Sequence, residues 1–501
     1  MSSSRQSSIW LHFTGVAGTG MSALAQFHAL SGGITTGSDR SFDCGEQPDL
    51  RARLEELGIV ILPQDGTFPS WRPVEKTQTD EPGDRTCAAL IASTAIEDRI
   101  PDIRAAKEAG IPILHRSELL ARHVSDHRTI AVTGTSGKST VTAMVFSILR
   151  NCGRQPGLLT GGALAELTAI GHVGNAWAPG GRSRDHSPPL LVIEADESDG
   201  SLTRYSPWAG VVLNLGLDHK EPQEVLAMFQ TFADKTEGPF LVGLGPELAA
   251  LHENGMVFGT EGTACPESLE PPDPTRSFIA RDIVLGPAGS SFSINGIKFK
   301  LPVPGHFNVL NATASLAICR QTGLSLEEMA PALSNFGGVA RRFQSVGIAA
   351  GVEVIDDFAH NPDKIGAALA TARSRFTDRS GNSGRILAVF QPHGFGPTRF
   401  LRTALVETFV HELRRQDILW MPEIFFAGGT AQKDISAADL IEDISHLGKD
   451  ARFIAERQEI ANAIAAVATD GDLVIVMGAR DPSLTSFCED ILKKLGDQIS
   501  G

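Results

Sequence analysis

The sequence has few cysteines, and none of them forms a C-x-x-C pair. The 501 residues include only six, Cys44, Cys87, Cys152, Cys265, Cys319 and Cys488. This wide spacing argues against a zinc ribbon or a disulfide framework and is typical of a protein in a reducing cytosol. We therefore expect a cytoplasmic protein.

The sequence also lacks an excess of positive charge and any long apolar run. It has 44 Lys and Arg residues against 59 Asp and Glu residues, which gives a formal net charge of -15. General binders of nucleic acid or of anionic membranes are normally basic, so neither partner is expected. The N-terminal stretch has no apolar core typical of a signal peptide, and no apolar run is long enough to span a bilayer.

What is present is the composition of an ordinary globular protein, with 42% hydrophobic residues. The length predicts about three domains, and we place them at 1–125, 126–337 and 338–501. Apolar strand patterns alternate with helical patterns in all three, which predicts α/β domains with parallel sheets and ligands at the carboxyl ends of the strands. The pair Asn295-Gly296 predicts one β-hairpin.

The stretch TIAVTGTSGKSTVTAM, residues 129–144, contains the tripeptide Gly-Lys-Ser at the end of a glycine-rich turn, as a phosphate-binding loop does. The usual pattern is G-x-x-x-x-G-K-[ST], but Val132 stands where its first glycine belongs. An apolar strand precedes the loop and a helical pattern follows it, the context that such a loop needs. Lys138 can reach the phosphates and Ser139 can bind Mg²⁺. The competing interpretation is a glycine-rich turn with a solvated lysine.

Acidic residues end the next apolar strands. VIEADESD, residues 192–199, places four carboxylates near a strand end, those of Glu194, Asp196, Glu197 and Asp199. Carboxylate oxygens suit Mg²⁺. Alone, this motif favours a solvated acidic turn. Paired with a phosphate loop, it is the expected metal partner of that loop. His219 follows Asp218 at another strand end, although histidine is an unusual ligand for Mg²⁺.

Further polar residues occur at helix starts and strand ends in the second half of the chain. Amides could read an adenine edge, and arginine forks suit phosphate. Each motif alone could equally be a helix cap or a solvated loop. The residues are Asn308, Asn311, Arg341, Arg342, Asp356, Asp357, His360, His393 and Arg399.

A glycine-rich turn also follows the first strand. Gly15, Gly18 and Gly20 approximate G-x-G-x-x-G with a different spacing, and Asp39 lies about 20 positions on, where a ribose-binding acid is found in dinucleotide sites. The motif alone allows three interpretations: a tight turn without a ligand, an NAD site, or a site for another diphosphate.

In order along the chain, GVAGTGMS, GSD, STAI, GTSGKST, EADESD, DH, GHFNVLNA, RRFQ, DDFAHNP and FQPH resemble the motifs of the Mur ligases, the ATP-dependent amide-forming enzymes of peptidoglycan synthesis. The resemblance covers about residues 15–478. It implies an α/β protein of three domains: a Rossmann-like UDP-binding N-terminal domain, a central P-loop ATPase domain and a Rossmann-like C-terminal domain.

The resemblance also implies roles for single residues. Lys138, Glu194, His219 and Arg342 would be catalytic, and Ser139, Glu194 and His219 would bind Mg²⁺. ATP would contact Gly134, Thr135, Ser136, Gly137, Lys138, Ser139, Thr140, Asn308, Asn311, Asp356 and Asp357. The UDP-linked substrate would contact Gly15, Gly18, Gly20, Met21, Ser22, Asp39, Ser93 and Thr94. His360, His393 and Arg399 would line the amino-acid end.

The implied activity is the ATP-dependent joining of L-alanine to the carboxylate of UDP-N-acetylmuramate through an acyl phosphate, by a monomer or weak homodimer. One alternative is a Mur-type ligase that joins another amino acid or a peptide; another is a nucleotide-binding protein without ligase activity. Ser136 replaces the usual histidine of the loop, and Asn361 replaces a common second histidine. Gly394 and Pro397 replace two arginines expected to hold an anionic acceptor.

Overall fold

The computed structural model describes residues 9–72, 86–93, 100–180, 187–218, 220–253, 255–263, 276–376, 384–426 and 432–497. Within these ranges the chain forms three sheets, each flanked by helices. None of the five cysteines in the described part forms a disulfide. No helix in these ranges combines the length and the apolar character needed to cross a membrane.

The first sheet has five strands, all parallel, in the order β3-β2-β1-β4-β5. The strands are β1 (Trp10–Thr14), β2 (Ile34–Ser38), β3 (Val60–Ile61), β4 (Ala89–Ala92) and β5 (Ile113–His115). The helices are α1 (Thr19–Leu30), α2 (Arg40–Asp43), α3 (Pro48–Glu56), α4 (Pro101–Glu108) and α5 (Arg116–Asp126). The α/β unit predicted for the N-terminal part of the chain is therefore present.

The second sheet has ten strands in the order β15-β14-β13-β12-β11-β10-β6-β9-β7-β8. The strands are β6 (Arg128–Thr133), β7 (Gly157–Leu159), β8 (Ala176–Trp177), β9 (Leu190–Glu194), β10 (Ala209–Val212), β11 (Phe240–Gly243), β12 (Met256–Thr260), β13 (Ser277–Gly286), β14 (Gly289–Ile294) and β15 (Ile297–Leu301). The helices are α6 (Lys138–Asn151), α7 (Ala165–Thr168), α8 (Pro222–Lys235), α9 (Ala249–His252), α10 (His306–Arg320) and α11 (Leu326–Ser334).

The centre of this second sheet is parallel, whereas β13, β14 and β15 extend it as an antiparallel meander. The buried helices α6 and α10 pack on it, because their small and apolar side chains leave no polar face over most of their length. This packing holds the start of α6 at the carboxyl end of β6, where the Gly-Lys-Ser loop lies.

The third sheet has six strands in the order β16-β17-β21-β18-β19-β20, and only the edge strand β16 is antiparallel. The strands are β16 (Gln344–Ala349), β17 (Val352–Asp357), β18 (Ile386–Gln391), β19 (Ile418–Met421), β20 (Asp450–Phe453) and β21 (Leu473–Gly478). The helices are α12 (Pro362–Ser374), α13 (Phe395–Glu412), α14 (Ala437–His446), α15 (Arg457–Val467) and α16 (Leu484–Asp497).

Candidate active site

A cavity of about 630 Å³ lies between the second and third sheets. Its walls come from the loops after β6, β9 and β10 on one side and after β17, β18 and β21 on the other. Thr19, at the start of α1, is the contribution of the N-terminal region. The carboxyl ends of the parallel strands in both sheets therefore face one shared space, as is usual for ligand sites in α/β proteins.

The Gly-Lys-Ser loop is closely packed on the strand beside it. A Cβ at Gly134 would lie 2.9 Å from the Cβ of Leu213, and a Cβ at Gly137 would lie 2.5 Å from Oδ1 of Asn311. Both glycines have positive φ, 134° and 89°. Val132 is fully buried within β6, so the position of the missing glycine belongs to the strand and not to the loop.

Ser136, the residue that replaces histidine, is held through its backbone. Its N–H donates to Oδ1 of Asn214 at 2.8 Å, and Nδ2 of Asn214 donates to its carbonyl at 3.0 Å. The hydroxyl of Ser136 is buried and has no hydrogen-bond partner among the described residues. The loop is thus fixed by Asn214 while its serine hydroxyl is left for a ligand.

Lys138 forms a buried ion pair with Glu197 in the cavity. Its Nζ donates to both carboxylate oxygens of Glu197, at 2.7 and 3.0 Å, and to the carbonyl of Gly134 at 2.9 Å. Only 13% of the Lys138 side chain and 6% of the Glu197 side chain are exposed. Burial acts to lower the pKa of Lys138, but the carboxylates around it, Glu197 foremost, outweigh burial and raise that pKa. The lysine therefore remains charged.

Ser139 and Glu194 place three oxygen atoms beside this lysine. The Oγ of Ser139 donates to Oε1 of Glu194 at 3.1 Å, while Oε2 accepts from Thr160 Oγ1 at 2.9 Å and from the N–H of Gly161 at 2.7 Å. Arg342 crosses from the third sheet and donates to Oγ of Ser139 at 3.2 Å. The side chains of two domains meet at this hydroxyl.

Asp357 ends β17 and faces the cavity. Its carboxylate accepts from the N–H groups of Phe343 at 2.6 Å and Ala359 at 2.7 Å. Burial raises its pKa to about 6, against the opposing effect of the Arg342 guanidinium. That guanidinium lies 4.4 Å from the ring centre of Phe358, and burial lowers the pKa of Arg342.

A second ion pair joins the two domains across the cavity. Nζ of Lys364, on α12, donates to Oδ2 of Asp218 at 2.9 Å, and Nε2 of His360 lies 3.7 Å from Oδ1 of the same carboxylate. The ring centres of His360 and His393 are 5.4 Å apart. Burial lowers the pKa of His360 to about 4, so its imidazole is neutral at physiological pH. His219, predicted beside Asp218, lies outside the described residues.

Two predicted ATP contacts lie behind the cavity wall. Nδ2 of Asn308 donates to the carbonyl of Pro304 at 2.7 Å, and Oδ1 accepts from Nδ2 of Asn311 at 3.3 Å. Asn311 lines the cavity and Asn308 supports it. Asp356 accepts from Thr485 at 2.6 Å, on the other face of β17, because neighbouring side chains of a strand point to opposite faces. These positions differ from the direct contacts predicted for Asn308 and Asp356.

Arg399 was predicted at the amino-acid end, but the structure places it elsewhere. It lies on α13 and forms an ion pair with Asp434, and it is not part of the cavity wall. Arg399 is the fifth residue of α13, which begins directly after Gly394. His360 and His393 line the cavity, and their place at the amino-acid end stays a prediction.

The N-terminal glycine loop lies between β1 and α1. Asp39 accepts from the N–H of Ala17 at 2.9 Å, so this acid braces the loop. A Cβ at Gly20 would lie 2.9 Å from Nη1 of Arg116, and Gly15 has a φ of 77°. The arrangement places an arginine beside a turn that is followed directly by a helix N-terminus, which suits a diphosphate.

The other predicted residues of this loop have different surroundings. Gly18 is the residue before α1. Met21 and Ser22 are buried in α1, where Ser22 accepts from Gln26. Ser93 follows β4 directly, and Thr94 lies outside the described residues.

Sequence reasoning missed several cavity residues. Asn214, Lys364 and Arg480 line the cavity, and Arg116 lies at the N-terminal glycine loop. Asn214 precedes the Asp-His pair at a strand end, a signal that could have been used. Lys364 and Arg480 belong to no recognisable motif, so their positions in the sequence did not predict that they line the cavity.

Two family descriptions match the chain: "Mur ligase family, catalytic domain" over residues 11–128 and "Mur ligase, glutamate ligase domain" over residues 341–480. The UDP-N-acetylmuramate--L-alanine ligase of Pelotomaculum thermopropionicum is 31% identical over 481 residues, covering 94% of this chain and 95% of the relative. The α/β architecture predicted from the sequence is confirmed by this likeness together with the solved structures that follow.

The solved UDP-N-acetylmuramate-alanine ligase of Thermotoga maritima superposes with a TM-score of 0.74 at 24% identity, covering 98% of this chain and 100% of that one. A murein peptide ligase of Psychrobacter arcticus gives a TM-score of 0.66 at 20% identity, covering 98% of this chain and 99% of that one. At these identities the two structures establish likeness of fold.

Proposed function

Because the chain belongs to the Mur ligase family, we propose that it is an ATP-dependent ligase that joins L-alanine to the carboxylate of UDP-N-acetylmuramate in peptidoglycan precursor synthesis. The resemblance seen in the sequence motifs and the curated relative of nearly equal length both support this activity. The observation that carries the proposal is the meeting of Lys138, Ser139 and Glu194 with Arg342 of another domain in one cavity.

The phosphates of ATP would lie on the Gly-Lys-Ser loop. The loop offers backbone N–H groups, the start of α6 and the Lys138 ammonium, which together favour a polyphosphate. The buried hydroxyl of Ser136 would add a donor. Asn311 and Asp357 are the polar groups of the wall that could hold adenine and ribose. Glu197 keeps Lys138 in place until the nucleotide arrives.

The residues present fit Mg²⁺. Ser139 and Glu194 place a hydroxyl and a carboxylate 3.1 Å apart, and both are the hard oxygen ligands that Mg²⁺ takes. Within the described ranges no cluster of three or more His, Cys, Asp or Glu could hold a metal alone. This agrees with an ion that is held partly by substrate phosphates and water. When bound, Mg²⁺ would neutralise phosphate charge. His219 stays a predicted further ligand.

The reaction needs no nucleophile from the protein. A carboxylate oxygen of the muramyl group attacks the γ-phosphorus of ATP, ADP leaves, and an acyl phosphate forms. The uncharged amine of L-alanine then attacks the acyl carbon, its nitrogen loses one proton to solvent, and phosphate leaves from the tetrahedral intermediate. Lys138 and Arg342 stabilise the negative charge that is transferred, and they are held in place before the reaction begins.

The N-terminal glycine loop would bind the UDP part of the substrate. Arg116 and the start of α1 suit its diphosphate, and Asp39 keeps the loop in shape. The domains would then have separate tasks: 1–125 binds the UDP substrate, 126–337 binds ATP, and 338–501 completes the amino-acid and nucleotide site. We propose that the enzyme works in the cytoplasm as a monomer or weak homodimer.

Phosphate release tests this proposal and separates it from its alternatives. Purified protein with ATP, Mg²⁺ and UDP-N-acetylmuramate should release phosphate when L-alanine is added and not before. Release with a peptide but not with L-alanine would indicate a peptide-joining ligase. ATP binding without release in either case would indicate a nucleotide-binding protein without ligase activity.

A further inference from the structure

Arg480 follows β21, the strand that lies between β17 and β18 in the third sheet. It lines the cavity and is an exposed residue. Its φ of 62° lies in the left-handed region, which is unusual for a residue other than glycine, asparagine or aspartate. Such backbone conformations cost energy and tend to occur at functional sites.

Arg480 differs from the other cations of the cavity in having no partner among the residues that the structure describes. Lys138 is paired with Glu197 and Lys364 with Asp218, while Arg342 donates to Ser139 and lies over the ring of Phe358. The Arg480 guanidinium makes no hydrogen bond and no ion pair with any residue in the described part of the chain. Its five donors are therefore available to a ligand.

Hydrogen bonds from Arg341 fix the backbone on both sides of Arg480. Arg341 donates to the carbonyl of Gly478 at 2.8 Å and to the carbonyl of Asp481 at 3.2 Å. Arg341 is itself paired with Asp356 at 3.2 Å. This explains why Asp356 faces away from the cavity: through Arg341 it positions the turn that carries Arg480. A cation on a fixed turn is suited to bind a ligand in one geometry.

The position of Arg480 indicates which ligand it meets. Because β21 lies between β17 and β18, its carboxyl end lies between the loops of His360 and His393, whose ring centres are 5.4 Å apart. This wall faces the Gly-Lys-Ser loop, and it contains both histidines that were predicted at the amino-acid end. Arg399, which was predicted at the amino-acid end, is paired with Asp434 outside the cavity.

We propose that the Arg480 guanidinium binds the α-carboxylate of the amino acid whose amine attacks the acyl phosphate. The inference rests on the proposed ligase activity and deepens it by naming the residue that recognises the acceptor. Two parallel N–H donors match a carboxylate, and an arginine provides them in a rigid fork. The same contact would exclude acceptors that carry a neutral group in place of the carboxylate.

Arg480→Gly and Arg480→Asn test the inference, because both residues accept a positive φ and neither carries charge. The KM for L-alanine should rise about 10- to 100-fold, as expected when a charge-assisted hydrogen bond is lost. The KM for ATP should stay the same. The thermal unfolding midpoint of Arg480→Gly should not fall, since glycine removes the backbone strain. Arg480→Lys should recover part of the affinity for L-alanine.

L-Alaninamide, which lacks the carboxylate, makes the assignment specific. The wild type should prefer L-alanine to L-alaninamide in kcat/KM, and Arg480→Asn should lose most of that preference. Arg415→Asn is the matched control: Arg415 is exposed and precedes the amino end of β19, whereas Arg480 follows the carboxyl end of β21. It should leave both KM values unchanged.

These experiments distinguish failure of the ligase proposal from failure of the carboxylate assignment. If the wild type forms no amide with any amino acid, the ligase proposal fails and this inference fails with it. If the wild type is active but Arg480→Asn keeps its KM for L-alanine and its preference over L-alaninamide, the carboxylate assignment alone is wrong. A rise in the KM for ATP without a change for L-alanine would place Arg480 at the nucleotide instead and would also overturn the assignment.

Discussion

Replacing Lys138 by methionine should remove turnover and destabilise the central domain, for two separate reasons. Methionine keeps most of the side-chain length but removes the charge that the phosphates need. It also leaves the Glu197 carboxylate buried, with 6% of its side chain exposed and no ammonium 2.7 Å away. Burial already raises the pKa of Glu197, and Lys138 is the group that opposes this rise.

The geometry sets the size of both effects. Removing one partner of a buried ion pair costs about 3–5 kcal/mol, because the charge that remains is uncompensated. Loss of one preorganised donor at a reacting oxyanion lowers kcat by at least about 10²-fold. A second substitution, Glu197→Gln, removes the uncompensated carboxylate. The double variant should therefore regain most of its stability and none of its turnover.

Phosphate release and urea unfolding, followed side by side, measure the two effects. Lys298→Met is the matched control, since Lys298 is an exposed residue of β15 and its side chain forms no ion pair with any residue that the structure describes. Normal turnover in Lys138→Met would refute the assignment of the phosphate loop. Unchanged stability would refute the buried ion pair, and recovery of turnover in the double variant would refute the separation of the two roles.

Three further predictions concern the rest of the site. Gly137→Ala should raise the KM for ATP and lower stability more than Gly153→Ala in thermal unfolding, because φ is positive at both but only the first Cβ would meet Asn311, at 2.5 Å. Burial lowers the pKa of His360 from 6.5 to about 4, so unfolding between these pH values takes up a proton at this residue. The free energy of unfolding, measured by urea titration, should therefore fall as the pH drops from 6.5 to about 4. The fall should be smaller in His360→Asn. Asp39→Asn should raise the KM for UDP-N-acetylmuramate with little change for ATP, because the brace on Ala17 is weakened.

Much of the fold follows from local patterns. Strand, turn and helix are recognisable around the Gly-Lys-Ser loop because an apolar run, glycines and a helical pattern are adjacent in the chain. The hairpin at Asn295-Gly296 is present, with φ values of 50° and 81° and antiparallel pairing of β14 with β15. The addition of that hairpin to the parallel strands as one ten-stranded sheet was not predicted, because the pairing of β12 with β13 joins segments whose sequences carry no signal for each other.

The site was predictable where its residues share a motif. Lys138 and Ser139 are adjacent, and Glu194 ends a recognisable strand. Side chains alternate between the two faces of a strand, so only one of the neighbours Asp356 and Asp357 can face the cavity. The sequence could therefore have predicted different roles for these two residues. Lys364 and Arg480 could not be found in this way: each reaches the cavity through the packing of the third domain, and only the folded chain brings them to it.

Isotope transfer tests the central claim most directly. If UDP-N-acetylmuramate is labelled with ¹⁸O in its carboxylate and incubated with the enzyme, ATP, Mg²⁺ and L-alanine, the acyl phosphate transfers one labelled oxygen to the phosphate that leaves. Mass spectrometry should therefore find one ¹⁸O in the released phosphate for each amide formed. Unlabelled phosphate accompanying amide formation would contradict activation of the carboxylate by ATP.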